Sequence, residues 1–594
     1  MPAPKLADSA LLFPAWLRPW SAPLQAPLDA FLGLGAINAT YERVRGGNPE
    51  EFAAKILETI GVAWEFPDSE VQRLRSVQGP LIVAANHPLG GPESLLLMLL
   101  LSRIRPDYRI LANLVLGAVP EARPRLILVD PFGSSSSAAR NVAPLRESLG
   151  WLRQGGILGV FPAGEVSSWS FRRGRVEDVD WKDLVVRLSR HSGAPVLPLH
   201  FEGRNRLLFQ AAGLLSPLLR TAMLPRTLLK PAVKRLRFRF GSPVPPERLA
   251  ALGGDRQAAA YLKERCYLLA GPAAPPRPQA GSWEPVAPQG DPTAFRAEVQ
   301  GLRGQGCVLA AQGGFEVLGF RSRQAPALFH ELARQRELSF RDAGEGTGKA
   351  LDQDAFDADY LHLALWDHGQ DRLAGAYRLA EADRILKERG PGGLYSSTLF
   401  TLKPGLLREL ESAVELGRSF VAPEYQREPL ALHLLWRGIG AWIAAHPGVT
   451  RLFGCVSISP DFRPVTQQLL VHFLEGHSFD TVRAAFVAPR LAFRPGRGFD
   501  AVLRRALQLG SMRDLQELVD DIEGGRMKVP PLLRHYLRLG GRILAFNIDP
   551  AFNNTLDGLF LVELPKSPPR ILEKYLGSEA ASAYLARHRE RTAA

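Results

Sequence analysis

Cysteine is scarce in this chain. The three present, Cys266, Cys307 and Cys455, are scattered over 594 residues and form no CxxC pair. That argues against a disulfide framework and a zinc site, and makes a reducing compartment, the cytoplasm, the expected home. Long apolar runs are also missing. The longest, residues 95–101, falls far short of the roughly 20 residues a membrane-spanning helix needs. No secretory leader is expected, because Lys5 is the only early charge suited to one and the apolar stretch 10–17 is broken by Pro14. There is no GxSxG element to support a serine acyl-enzyme, and no nucleic-acid-binding motif.

One stretch lacks acid altogether. Between Glu202 and Glu247 no Asp or Glu occurs, while nine arginines and lysines stand from Arg204 to Arg239. Leu207, Leu208, Phe209, Leu214, Leu215, Leu218 and Leu219 interleave with them. Such a basic, apolar-rich segment suits an anionic membrane surface. A core helix followed by a solvated strand is the plain alternative. The whole chain carries +13, which favours acidic partners such as anionic lipid or an acidic carrier protein over neutral ones.

What is present is globular in composition: 46% hydrophobic and 22% charged residues argue against wholesale disorder. The length exceeds one hydrophobic core, so about two or three domains are expected. The clearest break is residues 271–292, rich in Pro, Ala and Gly, which reads as a linker between domains at 1–270 and 293–500. Residues 501–594 read as a mostly helical extension of the second domain, around one apolar segment at 543–548. In the first half, buried strands are predicted at 81–85, 110–114, 126–129, 157–161 and 196–200, and helices at 94–103, 142–154 and 181–192. This alternation predicts an α/β sheet with functional loops at strand ends. In the second half, a hairpin at 362–367 and 373–379, strands at 413–421 and 451–457 and a helix at 429–445 predict an α+β domain with a mixed sheet.

Three segments of the first half carry chemistry. Residues 81–93, LIVAANHPLGGPE, end a strand at His87, turn through two glycines and open a helix at Glu93. An imidazole there is placed to act as a general base, with Glu93 orienting its second nitrogen. Taken alone, the segment also fits a capping loop with an incidental histidine. Residues 159–167, GVFPAGEVS, form a second strand-turn with Gly164 and Glu165, and 194–203, APVLPLHFEG, a third strand. Ser134–Ser137 reads as a loop, and His191 and His200 as structural. In this order the segments resemble the motif blocks of the glycerol-phosphate and lysophospholipid acyltransferase family. The resemblance implies that His87 deprotonates a hydroxyl that attacks an acyl thioester directly. It makes Glu93 the orienting acid and places Gly164 and Glu165 at the acceptor, with backbone N–H groups near Gly90 and Gly91 on the oxyanion. Two departures stand out. Five residues separate His87 from Glu93, one more than the family's usual spacing, and Glu165 lies two positions later than the usual acid. Both put a glycerol-phosphate acceptor in doubt.

The second half holds two carboxylate-rich stretches, 336–360 and 414–426. Asp352, Asp354, Asp357 and Asp359 lack the spacing of a calcium loop and fit a solvated face. Together with GAYRL (375–379), LYSSTLF (394–400), ELGRS (415–419) and RLFGCVSIS (451–459), the stretches resemble the GNAT-like branch of acyl-homoserine-lactone synthases and ornithine-lipid N-acyltransferases. Extended through 533–564, the half looks similar to the long form in bifunctional ornithine-lipid synthases. The resemblance implies a glycerolipid-acyltransferase-like α/β domain followed by a GNAT-like α+β domain. It makes Glu415 catalytic and Arg418, Arg378, Glu345, Asp354 and Asp357 substrate-binding, with acids holding a cationic amino acid and an arginine its carboxylate. An internal ion pair is the structural alternative for Glu415 and Arg418. Acyl carrier protein is the expected donor, because 422–428 has no glycine-rich pyrophosphate loop. Ornithine and 3-hydroxyacyl chains are the implied substrates, and no metal or organic cofactor is implied. The expected location is cytoplasmic, peripheral at the inner face of the cell membrane. A glycine-lipid synthase, a lysophospholipid acyltransferase with an inactive second half, and a membrane-lytic protein remain alternatives.

Overall fold

The structure is a computed structural model. It describes residues 33–66, 68–130, 135–171, 174–206, 209–210, 223–270, 283–495 and 510–593. Leu207, Leu208, Leu214, Leu215, Leu218, Leu219 and Arg220 of the basic stretch lie outside the described residues, as do Ser134 and most of the linker. The chain divides into two compact units. One comprises Met1–Gly271 with Gly498–Arg526, the other Pro272–Arg497 with Met527–Ala594.

The first unit is built on six strands: β1 (Leu81–Ala85), β2 (Tyr108–Asn113), β3 (Leu126–Val129), β4 (Ile157–Val160), β5 (Val196–Phe201) and β6 (Phe238–Phe240). Their order is β6-β5-β1-β4-β2-β3, parallel except for the β5–β6 pair. The continuous apolar runs follow from burial on both faces. Leu81, Val83 and Ala85 enter one core cluster, Ile82 and Ala84 the other. The apolar run at 95–101 lies in α1 (Pro92–Ile104), whose side chains are buried nearly all round, so it is a core helix. Residues 135–137, expected in a loop, open the helix Ser135–Arg153. Parallel strands send every β1-to-β5 connection out at the same carboxyl end, which is where His87 sits.

The second unit centres on eight strands: β7 (Val308–Gln312), β8 (Phe315–Phe320), β9 (Leu361–Asp367), β10 (Arg372–Glu381), β11 (Ala413–Val421), β12 (Arg451–Ile458), β13 (Arg542–Asp549) and β14 (Thr555–Glu563). The order is β7-β8-β9-β10-β11-β12-β14-β13, antiparallel except for β11–β12. Helices α2 (Pro326–Asp342) and α3 (Pro429–Ala445) pack on it. The β11–β12 pairing covers only Ala413–Glu415 against Arg451–Phe453, and the strands part beyond it. At the parting, Gly454 lies so close to β11 that a Cβ would sit 2.0 Å from the Leu416 carbonyl oxygen.

Two expectations about the chain's organisation need correction. Residues 501–594 are not one helical extension of the second domain. Helix Met512–Glu523 belongs to the first unit, because the Asp521 carboxylate pairs there with buried Arg265 and accepts the Ser242 N–H (2.6 Å). Arg542–Asp549 and Thr555–Glu563 are strands that complete the second sheet. The linker is also shorter than expected. Glu284 and Ala287 N–H already bond to Gly348 and Ala350 carbonyls, at 2.8 and 2.9 Å.

Candidate active sites

In the first unit, β1 ends at Ala85 and the chain turns into α1. Asn86 bridges to β5, donating to the Phe201 carbonyl (3.0 Å) and accepting the Phe201 N–H (2.7 Å). Asn205 Nδ2 donates to the Leu89 carbonyl (3.0 Å). These bonds fix the His87 turn to the end of β5. Gly90, at φ +89°, leaves no room for a side chain: a Cβ would lie 2.5 Å from Leu224 Cδ2 and 2.8 Å from Val166 Cγ2.

Glu93, fully buried in the first turn of α1, faces back into this turn. Its Oε1 lies 3.0 Å from His87 Nδ1. The carboxylate accepts the N–H groups of Leu89 (2.7 Å), Gly90 (2.7 Å) and Gly91 (3.2 Å). Burial alone would raise its pKa. The neighbouring His87 and the Gly90 and Leu89 amides outweigh burial and hold the carboxyl below its usual range. This overturns the expected oxyanion role of Gly90 and Gly91. Their N–H groups serve the buried carboxylate, which needs those donors to stay ionised.

The His87 ring leans on Phe161 at 4.3 Å between centroids, so the second motif block packs directly against the first. Its backbone is held on both sides. The Ser167 N–H donates to the His87 carbonyl (2.8 Å), and the His87 N–H donates to Asp178 Oδ1 (3.2 Å). Buried Asp178 also accepts Ser167 Oγ (2.5 Å) and Trp181 Nε1 (2.8 Å), and burial pushes its carboxyl up. Asp178 carries no motif signal in the sequence, and it was missed. Gly164, at φ +72°, closes the turn of the second block through its N–H to the Phe161 carbonyl (3.0 Å), and Glu165 beside it is exposed. His191 bonds the Arg187 carbonyl through Nδ1 (2.8 Å). His200 is buried, and burial with Arg239 and Arg175 nearby pushes its pKa down to about 3.

The second unit brings most of its predicted residues together. Arg378 donates to Asp354 (2.7 Å) and Asp357 (2.8 Å). Arg336 on α2 pairs with Asp357 (2.9 Å) and Asp352 (3.0 Å). Arg418 Nε and Nη2 each lie 3.3 Å from a carboxylate oxygen, of Asp352 and Asp354. Asp352 and Asp357, expected on a solvated face, are 1% exposed, because three arginines neutralise them in the interior. Burial would raise Asp357, but Arg336 and Arg378 hold it well below the carboxylate range. Arg418 adopts φ +49° just after Gly417, beside a bulge in the β10–β11 register. Strain of this kind persists where surrounding bonds over-determine it.

Glu415 and Arg418 are not paired with each other in this arrangement. Buried Glu415 accepts the Tyr360 hydroxyl and the N–H groups of Tyr395 (3.0 Å) and Ser396 (2.6 Å). It thereby fixes Tyr395, whose hydroxyl stands 3.1 Å from Arg418 Nη1 and 3.5 Å from Asp549. Glu345 lies apart from the arginine network, in a second group with Asp461, Asp549 and Asp557. Asn553 donates to the Gly344 carbonyl next to Glu345 (2.9 Å). Burial, with Asp557 and Asp461 nearby, pushes Glu345 up to about 8. Burial and Asp549 push Asp557 up to about 7, against the Ser457 hydroxyl that donates to it at 3.0 Å. Arg418 borders both groups and stacks on Phe552 at 4.1 Å. Asp549 and Asp557 were missed because they sit in the quoted 533–564 segment without a pattern that singles them out.

Comparison with known proteins matches the two halves of the chain to different families. The family described as Acyltransferase matches residues 35–273, and that described as Acetyltransferase (GNAT) domain matches residues 335–437. An L-ornithine N(alpha)-acyltransferase of Rhizobium meliloti is 31% identical, over 41% of this chain and 77% of that protein. A glycine N(alpha)-acyltransferase of Bacteroides thetaiotaomicron is 30% identical, over 38% of this chain and 69% of that protein. A lyso-glycine lipid O-acyltransferase of Phocaeicola vulgatus is 29% identical, over 34% of this chain and 75% of that protein. Among solved structures, the CoA-dependent acyl-homoserine lactone synthase MesI aligns at 12% identity with a TM-score of 0.22, covering 45% of this chain and 94% of that chain, too slight a likeness to bear on the fold. The chain is an acyl-transferring enzyme that belongs to the family of amino-acid N(alpha)-acyltransferases, joined in one polypeptide to an acyltransferase domain as in the bifunctional ornithine-lipid synthases.

Proposed function

We propose that this chain makes an ornithine lipid by two successive acyl transfers. In the second unit, the α-amine of ornithine attacks the thioester carbonyl of a 3-hydroxyacyl chain. A carboxylate first takes a proton from the ammonium and frees its lone pair; the C–N bond then forms, the C–S bond breaks, and a second nitrogen proton goes to the leaving thiolate, which departs as the thiol. Asp557 is our candidate for that acceptor, with Glu345 beside it. Both are pushed up to pKa values from which a proton can be exchanged near neutral pH. Glu415 acts by positioning Tyr395 and Ser396 rather than by taking a proton. In the first unit, His87 takes the proton of the 3-hydroxyl through Nε2, the nitrogen turned away from Glu93. The oxygen attacks a second thioester, and the imidazolium returns the proton to the leaving thiolate. Glu93 stabilises that imidazolium.

The observation that carries the choice of amino acid is the excess of acid beside Arg418. Glu345, Asp549 and Asp557 lie near one another and near Arg418, which already faces Asp352 and Asp354. That balance suits a substrate with two ammonium groups. The printed activity of the Bacteroides relative supports glycine as a second reading. Acyl carrier protein as donor is supported at the start of α3. The Glu428 side chain accepts the Leu430 N–H (3.2 Å) and puts negative charge where a pyrophosphate would otherwise bind. No helix among the described residues is long and apolar enough to cross a membrane. We place the chain in the cytoplasm, peripheral at the inner face of the cell membrane.

The test is expression in a bacterium that lacks amino-acid lipids, followed by lipid mass spectrometry. The expected product is diacylated ornithine. His87→Ala is expected to stop at the monoacyl species, and Asp557→Asn to yield neither. Diacylated glycine despite ample ornithine would establish the second reading. A change confined to phospholipid acyl chains would refute both.

A further inference from the structure

Large apolar side chains left exposed in the first unit are not scattered. Among the described residues there are seven; six, Leu114, Val115, Leu116, Trp169, Phe171 and Val179, follow the carboxyl ends of β2 and β4, and the seventh, Val142, lies in the helix Ser135–Arg153. Val115 is 71% exposed and Phe171 77%. β2 and β4 are parallel neighbours in the sheet, so both segments leave it at the same end, the second through a hairpin of Ser168–Ser170 with Arg175–Glu177. On the other side of β1 lies β5, and its carboxyl end leads to exposed Arg204 and Arg206, which flank the buried Asn205 that holds the His87 turn. The short helix Leu224–Leu229 joins this side. Leu224 and Leu228 pack against Gly90 and Gly91, and exposed Lys230 follows. One end of the sheet thus presents apolar tips on one flank and cations on the other, with His87 on the strand between them.

We propose that this end of the first unit is the surface by which the enzyme docks on an anionic bilayer. The apolar tips enter the boundary of the acyl region, and Arg204, Arg206 and Lys230 meet the headgroup phosphates. A Trp and a Phe at the tips fit the interfacial zone, where an aromatic ring is stable between hydrocarbon and water. The choice of a bilayer over a soluble protein rests on this juxtaposition. It also rests on the reading that the acceptor of His87 is a lipid, whose hydroxyl lies at the depth such docking reaches.

The experiment is flotation of the full-length chain with phosphatidylcholine vesicles, with and without phosphatidylglycerol, beside O-acylation assays. The assays use a vesicle-borne N-(3-hydroxyacyl)ornithine and a short-chain, water-soluble version of it. The wild type is expected to float, more strongly with the anionic lipid. Val115→Asp and Phe171→Asp are expected to weaken flotation about tenfold each, since each removes one buried apolar side chain's worth of binding. Both should keep O-acylation of the soluble acceptor while losing it on vesicles. Arg204→Glu with Arg206→Glu should abolish the preference for anionic lipid. Val482→Asp, at an equally exposed apolar position of the second unit (72%), should change nothing. Flotation unaffected by Val115→Asp and Phe171→Asp, or lost equally with Val482→Asp, would overturn the proposal. So would variants that float normally but fail with acyl carrier protein as donor, which would make the surface a protein-docking one. If the flotation pattern holds but no acceptor is acylated even by the wild type, the docking surface stands and the lipid-acceptor reading of His87 falls.

Discussion

Replacing Glu93 by Gln keeps the shape of the His87 turn and changes its chemistry. The carboxylate has two oxygens, which accept three backbone N–H groups and face His87 Nδ1. Gln offers one acceptor oxygen. Its NH2 must point either at the Gly91 N–H or at the protonated Nδ1, a donor against a donor. One unmet buried donor costs about 1–3 kcal/mol, so a stability loss of about 2 kcal/mol is expected. The larger effect is on rate. Without the negative charge, the imidazolium formed as His87 takes the hydroxyl proton loses its counter-charge, and the ring is no longer held in one tautomer. General acid–base catalysis by a positioned side chain contributes roughly 10²–10⁴-fold, or about 2.7–5.5 kcal/mol. O-acylation by Glu93→Gln is therefore expected to fall at least 100-fold, while N-acylation, which uses no residue of this unit, stays within about twofold. Radiolabelled acyl donor with purified monoacyl ornithine measures the first rate, and ornithine with a 3-hydroxyacyl thioester the second. The folded-state pKa of Glu93 is lowered, so its contribution to stability is present above the unfolded carboxyl pKa and is lost as pH falls through the folded one. Acid denaturation of Glu93→Gln should lack that component. O-acylation within threefold of wild type would refute the reasoning, because a free imidazole would then suffice.

Asp557, pushed up to about 7, should appear as an acid limb in the N-acylation pH profile, with the rate rising as the carboxyl ionises; Asp557→Asn should abolish N-acylation at every pH and leave O-acylation of supplied monoacyl ornithine unchanged. Gly454→Ala places a Cβ against the Leu416 carbonyl where β11 and β12 part, so N-acylation should fall more than tenfold, read by the same thioester assay. Arg336→Met leaves Asp352 and Asp357 with one cation fewer in the interior, and urea denaturation of the second unit should show a loss of about 3–5 kcal/mol.

Elements with a strong local signal were legible in the sequence. Strands 81–85, 126–129 and 413–421 and the helix at 429–445 match the observed bounds; the first two are short apolar runs closed by Pro or polar turns, and the helix opens at Pro429 on a mostly apolar stretch. Thr555–Glu563 was not read as a strand. All but its last residue are buried, so no alternation separates it from a buried helix segment. The helix expected from 181 begins at Leu184, because Trp181 is taken by Asp178 instead. Long-range pairs were out of reach. Nothing near Asp521 announces that its partner is Arg265, which is why residues 512–523 were given to the wrong unit. The same limit applies to the sites. The ELGRS motif pointed to Glu415 and Arg418, but only the fold shows that Glu415 serves Tyr360, Tyr395 and Ser396.

The two sites use their carboxylates in opposite electrostatic regimes, and this separates their roles. Glu93 is surrounded by donors, so its charge is locked on and it can orient and stabilise a cation but not accept a proton near neutral pH. Asp557 and Glu345 are buried with other acids and few donors, so their charge is costly and a proton or an ammonium relieves it. A hydroxyl acceptor must lose a proton to a separate base, and the first unit supplies a histidine backed by a fixed charge. On the proposed reading, an amino-acid acceptor arrives already protonated, and the raised carboxyls of the second unit hold its ammonium. On that reading, a carboxylate takes one proton from the bound ammonium and so frees the lone pair that attacks the thioester, and the adduct's nitrogen gives a second proton to the leaving thiolate. Such a step calls for acids of raised pKa rather than ones locked in their charged form, which is the state of Glu345 and Asp557.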